Sequence, residues 1–355
     1  MDLNSAQEIK SYDKDGILTS IRELSSQVEQ AWAEMSKISL PDNYRNVSQV
    51  VICGMGGSAL GARMVDALYS TSVRGPIEFY TDYHVPQYAN EKTLVILSSY
   101  SGTTEETINC FYETIERKAL PFGITTGSTL GKLFEKEGLP FYEFDPIHNP
   151  SNQPRMSLGY SFTSILSLLN KTGFITISDE EIEKAVLTLK GLLADYDIDL
   201  PIEENLAKRT AANFYAKVPV LIASEHLIGA CHAFKNQLNE NAKTFSLLFD
   251  IPELNHHLME GLKNPSQGRE IFKFLFFESD LYSEGVNKRY PLTQEVIEKN
   301  GYPFSIYPLR SETKLEQVLE ILAFGSFTSF YLAFLYKEDL AKIPWVDYFK
   351  EKMAG

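Results

Sequence analysis

The stretch QVVICGMGGSALGARMVDALYS, residues 49–70, runs from an apolar segment through a glycine turn into a helical pattern. QVVICG reads as a buried strand and SALGARMVDALYS as the helix behind it, the opening of a βαβ unit. The alternation continues outward. IEFYTD and TLVILSS read as strands, TEETINCFYETIERK as a helix, and PFGITTG, TLGKLFEK and PFYEFD extend the same order. Strands regularly followed by helices predict a parallel sheet covered on both faces. PRMSLGYSFTSILSLLNK predicts a closing helix that starts near Arg155.

Upstream, ILTSIRELSSQVEQAWAEMSK places Ile17, Ile21, Leu24, Val28 and Trp32 at helical spacing, so an amphipathic arm precedes the sheet. Downstream, the acidic stretch 175–205 reads as a helical connector. VPVLIAS then opens a second alternation: a helix about HLIGACHAFKNQLNENAK, the strand KFLFFES, the helix TQEVIEKN, the strand PFSIYPL and the long helix KLEQVLEILAFGSFTSFYLAFLY. The expected class is α/β, two doubly wound parallel-sheet domains with an N-terminal helical arm. The expected division is an arm over 1–45, a first domain over 46–172, a connector over 173–210 and a second domain over 211–355. The second half has no counterpart of the glycine turn.

Composition narrows the function. The 355 residues suit two domains, and 44% hydrophobic with 23% charged residues describes a soluble globular chain. Thirty-three basic against 47 acidic residues give −14, which argues against nucleic acid or an anionic membrane as partner. An anionic ligand must then be held by local dipoles and a few placed cations. Cys53, Cys110 and Cys231 are odd in number and lack ligand-like spacing, as suits a reducing cytosol. The N-terminus is polar and acidic, unlike a signal peptide. The longest apolar run, FGSFTSFYLAFLY, falls short of the ~18 residues a membrane helix needs. These features predict a cytoplasmic chain.

In GMGGSALG, Gly54 and Gly56 let backbone amides approach a ligand, and Ser58 falls near the start of the helix. Hydroxyl, free amides and the positive end of the helix dipole converge there on an anion. Gly54, Gly56 and Ala59 also satisfy the looser dinucleotide fingerprint, with Asp82 in the place of the ribose-binding acid. A bare structural turn is a third reading. SSYSGTTEET, residues 98–107, sits after the strand TLVILSS and sets out three Ser and three Thr with no Lys or Arg. Thr103-x-x-Glu106 spells a capping box, which uses one hydroxyl. Ser99, Ser101 and Thr104 remain as donors. Loops at the carboxyl ends of parallel strands share one crevice, so the two turns together favour a phosphomonoester over a nicotinamide dinucleotide.

GMGGSALG with SYSGTTEET resembles the sugar isomerase (SIS) domain, which binds phosphosugars at these two loops. NQPRMSLGY, NQLNENAK and ELNHH resemble the bifunctional phosphoglucose/phosphomannose isomerase family. The resemblance implies two SIS-type domains and interconversion of glucose 6-phosphate, with mannose 6-phosphate as a second substrate, and fructose 6-phosphate through an enediolate. It places the phosphate on Gly56, Gly57, Ser58, Ser99, Ser101 and Thr104. Glu240 matches the family's proton-transferring glutamate, His256 its ring-opening histidine and Arg155 the arginine that steadies the enediolate. Lys350 matches the C-terminal lysine that works with the histidine. The family's Asp-Pro-Thr opening of this last region is replaced by Asp339-Leu340-Ala341.

Taken alone, each of these residues has a plainer explanation. Glu240 ends a polar helix, His256 neighbours His257, and Lys350 lies in a charged terminal helix. Arg155 stands at a helix start, the wrong end for the dipole, which favours an anionic ligand facing it. Such chemistry needs no redox cofactor or metal. His84, His148, His226 and His232 are scattered without an i, i+4 partner, which disfavours a metal-dependent isomerase. The resemblance further implies a homodimer in which His256 serves the neighbouring subunit's site. A non-catalytic sugar-phosphate sensor on the same domain is the alternative. It would keep the hydroxyl loops and have no use for Glu240, His256 and Arg155 together.

Overall fold

A computed structural model describes residues 1–354. Its arm has three helices, α1 (Ala6–Tyr12), α2 (Ile17–Arg22) and α3 (Leu24–Ser36). The single amphipathic stretch expected from the spacing is broken at Glu23, which ends α2 and begins α3. Ile17, Ile21, Leu24 and Val28 are nonetheless buried, as their spacing requires.

The first sheet follows as β1 (Gln49–Gly54), α4 (Gly57–Tyr69), β2 (Ile77–Tyr80), β3 (Thr93–Ser99), α5 (Glu105–Glu116), β4 (Leu120–Thr125), α6 (Ser128–Glu137) and β5 (Phe141–Glu143). All its strands are parallel in the order β2-β1-β3-β4-β5. Every residue of β3 is buried, which is why TLVILSS shows no polar alternation. The chain leaves β1 for β2 on one side and returns to β3 on the other. The sheet therefore reverses direction between β1 and β3, where Gly54 pairs with Ser98. Both candidate loops leave the sheet at this switch point, the position where open α/β sheets bind ligands.

Then come α7 (Leu158–Lys171), α8 (Asp179–Asp195) and α9 (Leu206–Phe214). The helix expected from Arg155 starts later, because Pro154–Met156 form a tight 3-10 turn. The second sheet comprises β6 (Val218–Ala223), α10 (Ile228–Asn241), β7 (Leu247–Asp250), α11 (Leu258–Gly261), α12 (Gly268–Ile271), β8 (Phe272–Glu278), α13 (Glu284–Lys299) and β9 (Phe304–Pro308). It is followed by α14 (Lys314–Tyr336) and α15 (Pro344–Ala354). Its strands are parallel in the order β7-β6-β8-β9. Strand β7 carries no signal in the sequence reading: it is a four-residue edge strand with Leu247, Leu248 and Phe249 only half-buried. In α13, Pro291 lies inside the helix, and TQEVIEKN is only its second half.

The two sheets meet through their helices, with α10 packed on both α4 and α14. A Cβ on Gly229 would stand 2.2 Å from the Arg63 carbonyl oxygen, so the α4 and α10 backbones all but touch. Helix α14 corrects one expectation. It is long and apolar enough to cross a membrane, and 94% of its most apolar window is buried inside the fold. Within this helix Glu320 is buried, accepting from the Tyr307 hydroxyl at 2.8 Å and the Ser311 hydroxyl at 2.6 Å.

The arm buttresses the segment ahead of α7. Gln27 of α3 is fully buried; its Nε2 donates to the carbonyls of His148 (3.0 Å) and Met156 (2.9 Å), and its Oε1 accepts from the Gly159 amide (3.2 Å). In the second sheet the matching crevice is filled. The ring Nε2 of His226, after β6, and the Ser279 hydroxyl, after β8, both meet Gln317 Oε1, at 2.9 and 2.6 Å.

Candidate active site

Strand β1 ends at Gly54, and α4 begins at Gly57 with no acidic residue in its first turn. Gly56 takes a φ of +50°, and nothing lies within 4 Å of where its Cβ would be. The turn thus leaves an open approach to the free amides and positive end of α4. Ser58 is 8% exposed, and its hydroxyl oxygen accepts from the Tyr100 amide at 3.0 Å, tying the first loop to the second. Its own proton is left to donate.

The second loop differs in detail from its spelling. Helix α5 has Thr104 at its N-cap with no side-chain cap, so the Thr103–Glu106 box is not formed. Thr104 Oγ1 instead pairs with Ser99 Oγ at 2.8 Å, and Ser99 Oγ also accepts from the Gly102 amide at 3.1 Å. Ser99 is 1% exposed, so it shapes the loop from inside. Ser101 stands in solvent, accepting from the Thr103 amide (3.3 Å) and hydroxyl (3.1 Å). Glu105 and Glu106 occupy the first turn of α5 and oppose an anion there. The dipole that favours an anion in this crevice is therefore that of α4, and the second loop sets out hydroxyls.

A third loop completes the crevice. The Tyr100 hydroxyl donates to Asn152 Oδ1 at 3.0 Å and accepts from Asn149 Nδ2 at 3.1 Å. A Cβ on Gly57 would lie 2.9 Å from both the carbonyl carbon and oxygen of Pro154 and 3.1 Å from the Arg155 nitrogen. Only glycine lets the first loop lie this close to the Arg155 backbone. The Arg155 side chain is 1% exposed. Its Nε donates to Asn241 Oδ1 (2.6 Å), Nη1 to Gln153 Oε1 (2.8 Å) and Nη2 to the carbonyls of Leu340 (2.7 Å) and Ala341 (3.1 Å). Its charge at the wrong end of α7 is thus offset by carbonyl dipoles, and Nη1 also faces Glu240 Oε2 at 3.7 Å.

Glu240 lies in the last turn of α10 with its side chain 30% exposed. Burial pushes its carboxyl above the ordinary glutamate value, against the opposing charges of Arg155, Lys243 and Lys350. Lys350, on the exposed α15, is thus within electrostatic reach of Glu240. His256 ends a short 3-10 turn after β7, is exposed, and makes no side-chain hydrogen bond or ion pair among the described residues. Within one chain the structure therefore gathers Gly56, Gly57, Ser58, Ser99, Ser101, Thr104, Arg155 and Glu240, sets Lys350 on the exposed α15 without a direct contact to them, and gives His256 no side-chain partner among the described residues. The residues that single-position reading passed over are Tyr100, Asn149, Gln153, Asn241 and Lys243. NQPR and NENAK contain three of these, and buried amide side chains beside a candidate arginine were the available signal.

A family model described as the bacterial phospho-glucose isomerase C-terminal SIS domain matches residues 203–353. A bifunctional phosphoglucose/phosphomannose isomerase of Caldicellulosiruptor bescii is 32% identical over 339 residues, covering 94% of this chain and 98% of the relative. The chain belongs to the bifunctional phosphoglucose/phosphomannose isomerase family. A second member of this family, from Thermoplasma acidophilum, is 30% identical over 308 residues, 86% of this chain and 90% of its own. Among solved structures, a hypothetical protein from Thermus thermophilus superimposes with a TM-score of 0.77 over 99% of this chain and 95% of its own, at 16% identity, a likeness of fold. The two parallel sheets are those of SIS-type sugar isomerase structures. In this member of the phosphoglucose/phosphomannose isomerase family, the backbone carbonyls of Leu340 and Ala341 hold Arg155.

Proposed function

We propose that the protein interconverts glucose 6-phosphate, with mannose 6-phosphate as a second substrate, and fructose 6-phosphate by proton transfer through an enediolate. One observation carries this: Arg155 touches the phosphate loop through its backbone and faces Glu240 through its guanidinium. The amide end of α4, with Ser58, Ser101 and Thr104, binds the phosphate, while Ser99 holds that loop in shape. Glu240 takes the proton from one of C1 and C2 and returns it to the other. The adjacent Arg155 Nη1 stabilises the oxygen on which charge develops. A carboxyl raised by burial suits this role, because a stronger base removes a carbon-bound proton more readily.

His256 opens the sugar ring with Lys350 as its companion. His256 is exposed and has no side-chain partner among the described residues, which supports a homodimer in which it completes the neighbour's site. No metal or redox cofactor is assigned a role. The division 1–45, 46–172, 173–210 and 211–355 is carried into this proposal, supported by the first sheet lying within 49–143 and the second within 218–308. Three free, buried thiols fit a cytosolic setting.

The test is a coupled assay with fructose 6-phosphate, run beside Glu240→Gln, and a structure with that ligand bound. Turnover that disappears in the variant, with the phosphate at the start of α4, supports the proposal. Tight binding without turnover in the native protein favours the sensor instead.

A further inference from the structure

The NENAK segment supplies Glu240, and its last residue has the most connected ammonium near the site. Lys243 lies just beyond α10 with a φ of +50°, a backbone region that non-glycine residues seldom occupy. Its Nζ donates to the carbonyl oxygens of Glu240 (2.9 Å), Asn241 (3.4 Å) and Asp339. An ammonium has three donors, so all three go to backbone oxygens. Two of these oxygens sit at the end of α10, where a helix leaves carbonyls unpaired and its dipole favours a cation. A helix cap would need no more than that.

The third contact reaches further. Asp339 begins the turn whose next two carbonyls, Leu340 and Ala341, receive Arg155 Nη2. The Asp339 carboxylate closes the same turn by accepting from the amides of Ala341 (3.0 Å) and Lys342 (3.1 Å). Lys243 thus joins the helix end that carries Glu240 to the turn that holds Arg155. Asn241, fully buried, makes a parallel link by accepting from Arg155 Nε.

We propose that Lys243 is a positioning residue for the proton-transfer pair, fixing Arg155 against Glu240 through the 339–341 turn and placing positive charge beside the carboxylate. This rests on the roles assigned above to Glu240 and Arg155. The half-buried ammonium is pushed below its ordinary value chiefly by burial, and its charge in turn favours the ionised form of Glu240.

The experiment compares full-length Lys243→Met and Lys243→Arg with the native protein. It reads kcat, KM, the pH profile of kcat and the carbon-13 titration of the Glu240 carboxyl. Lys243→Met is expected to lower kcat by about ten-fold or more with KM within about two-fold, the signature of misplaced groups rather than lost binding. Its acid limb and the Glu240 titration move to higher pH, because a neighbouring cation is gone. Lys243→Arg restores most of both. Native kcat and an unshifted Glu240 titration in Lys243→Met overturn the proposal. So does a loss of thermal stability alone, which reports only a helix cap. If the native protein turns over no hexose phosphate, the functional reading fails instead, and the carboxyl titration still decides the part played by Lys243.

Discussion

Arg155 Nη1 and Glu240 Oε2 face each other at 3.7 Å, close enough for their charges to interact and too far apart for a hydrogen bond. A carboxylate clamped by a guanidinium would be a poor base, since the salt bridge holds it in its weakly basic form. Here the guanidinium spends most of its donors on Asn241, Gln153, Leu340 and Ala341. The Glu240 side chain stays 30% exposed, and its carboxylate takes no hydrogen bond from that guanidinium.

The pH profile should follow from this arrangement. Burial raises the Glu240 carboxyl, and the base must be ionised to act. Activity is therefore lost as pH falls through that raised value, placing the acid limb above the ordinary glutamate range near ~4.3. Glu240→Gln should lower kcat by several orders of magnitude with a modest change in KM. A variant turning over at near-native rate would remove Glu240 from the mechanism.

Gly57→Ala tests the closeness of the first loop to the Arg155 backbone. The new methyl group would meet the Pro154 carbonyl at 2.9 Å, and neither partner is a flexible side-chain end. Overpacking of this kind costs about 1–3 kcal/mol, and the denaturant midpoint should fall with an unchanged m-value. KM for the sugar phosphate should rise with it. Gly61→Ala is the control: its methyl group meets Ser161 at 2.7 Å, one turn further along α4. It should lower stability while leaving KM nearly native. Equal KM changes in both variants would refute a specific role for the Gly57 contact.

The fold was legible where burial leaves a clear pattern. Strands β1, β3, β4, β6 and β8 are buried through most of their length and show as continuous apolar runs. Strand β7 was not, because an edge strand of four residues, three half-buried and one exposed, has neither a long run nor an alternation. The break at Glu23 and the late start of α7 are matters of local capping, which periodicity does not register. At the site, the two glycine and hydroxyl loops could be read because their chemistry is local. The cage around Arg155 could not, since Asn241 and the 340–341 carbonyls come from elements far away in sequence. Backbone carbonyls carry no residue-type signal at all. Thr103-x-x-Glu106 misled for a related reason: the Thr103 hydroxyl donates to Ser101 and Thr104 pairs with Ser99, so bonds within the loop compete with the cap and prevail.

That competition makes the hydroxyls of the second loop separable. Ser99→Ala removes an acceptor for the Gly102 amide and the partner of Thr104, so it should cost about 1 kcal/mol and raise KM. Ser101 is exposed, and Ser101→Ala should leave stability within about 0.5 kcal/mol while raising KM. Urea titrations beside KM measurements distinguish the two. A Ser101→Ala variant with native KM would take that hydroxyl out of the phosphate contact.

Acid stability should carry the mark of His232. Burial between α10 and α4 pushes this imidazole down to about 4, with the charges of Lys235 on its own helix and Arg63 on α4 acting in the same direction. In the unfolded chain the group titrates near its ordinary value of 6.5. Between those two pH values the unfolded state binds a proton that the folded state refuses. Stability attributable to His232 is thus fully present above pH 6.5 and lost as pH falls toward 4. His232→Gln removes the titration, so the difference in unfolding free energy between native and variant should change across that window and level off on either side. Carboxylates contribute to both proteins alike, so the difference isolates the histidine. Parallel curves from neutral to acid pH would mean that His232 is as readily protonated in the fold as outside it, and that the α4–α10 seam admits the charge.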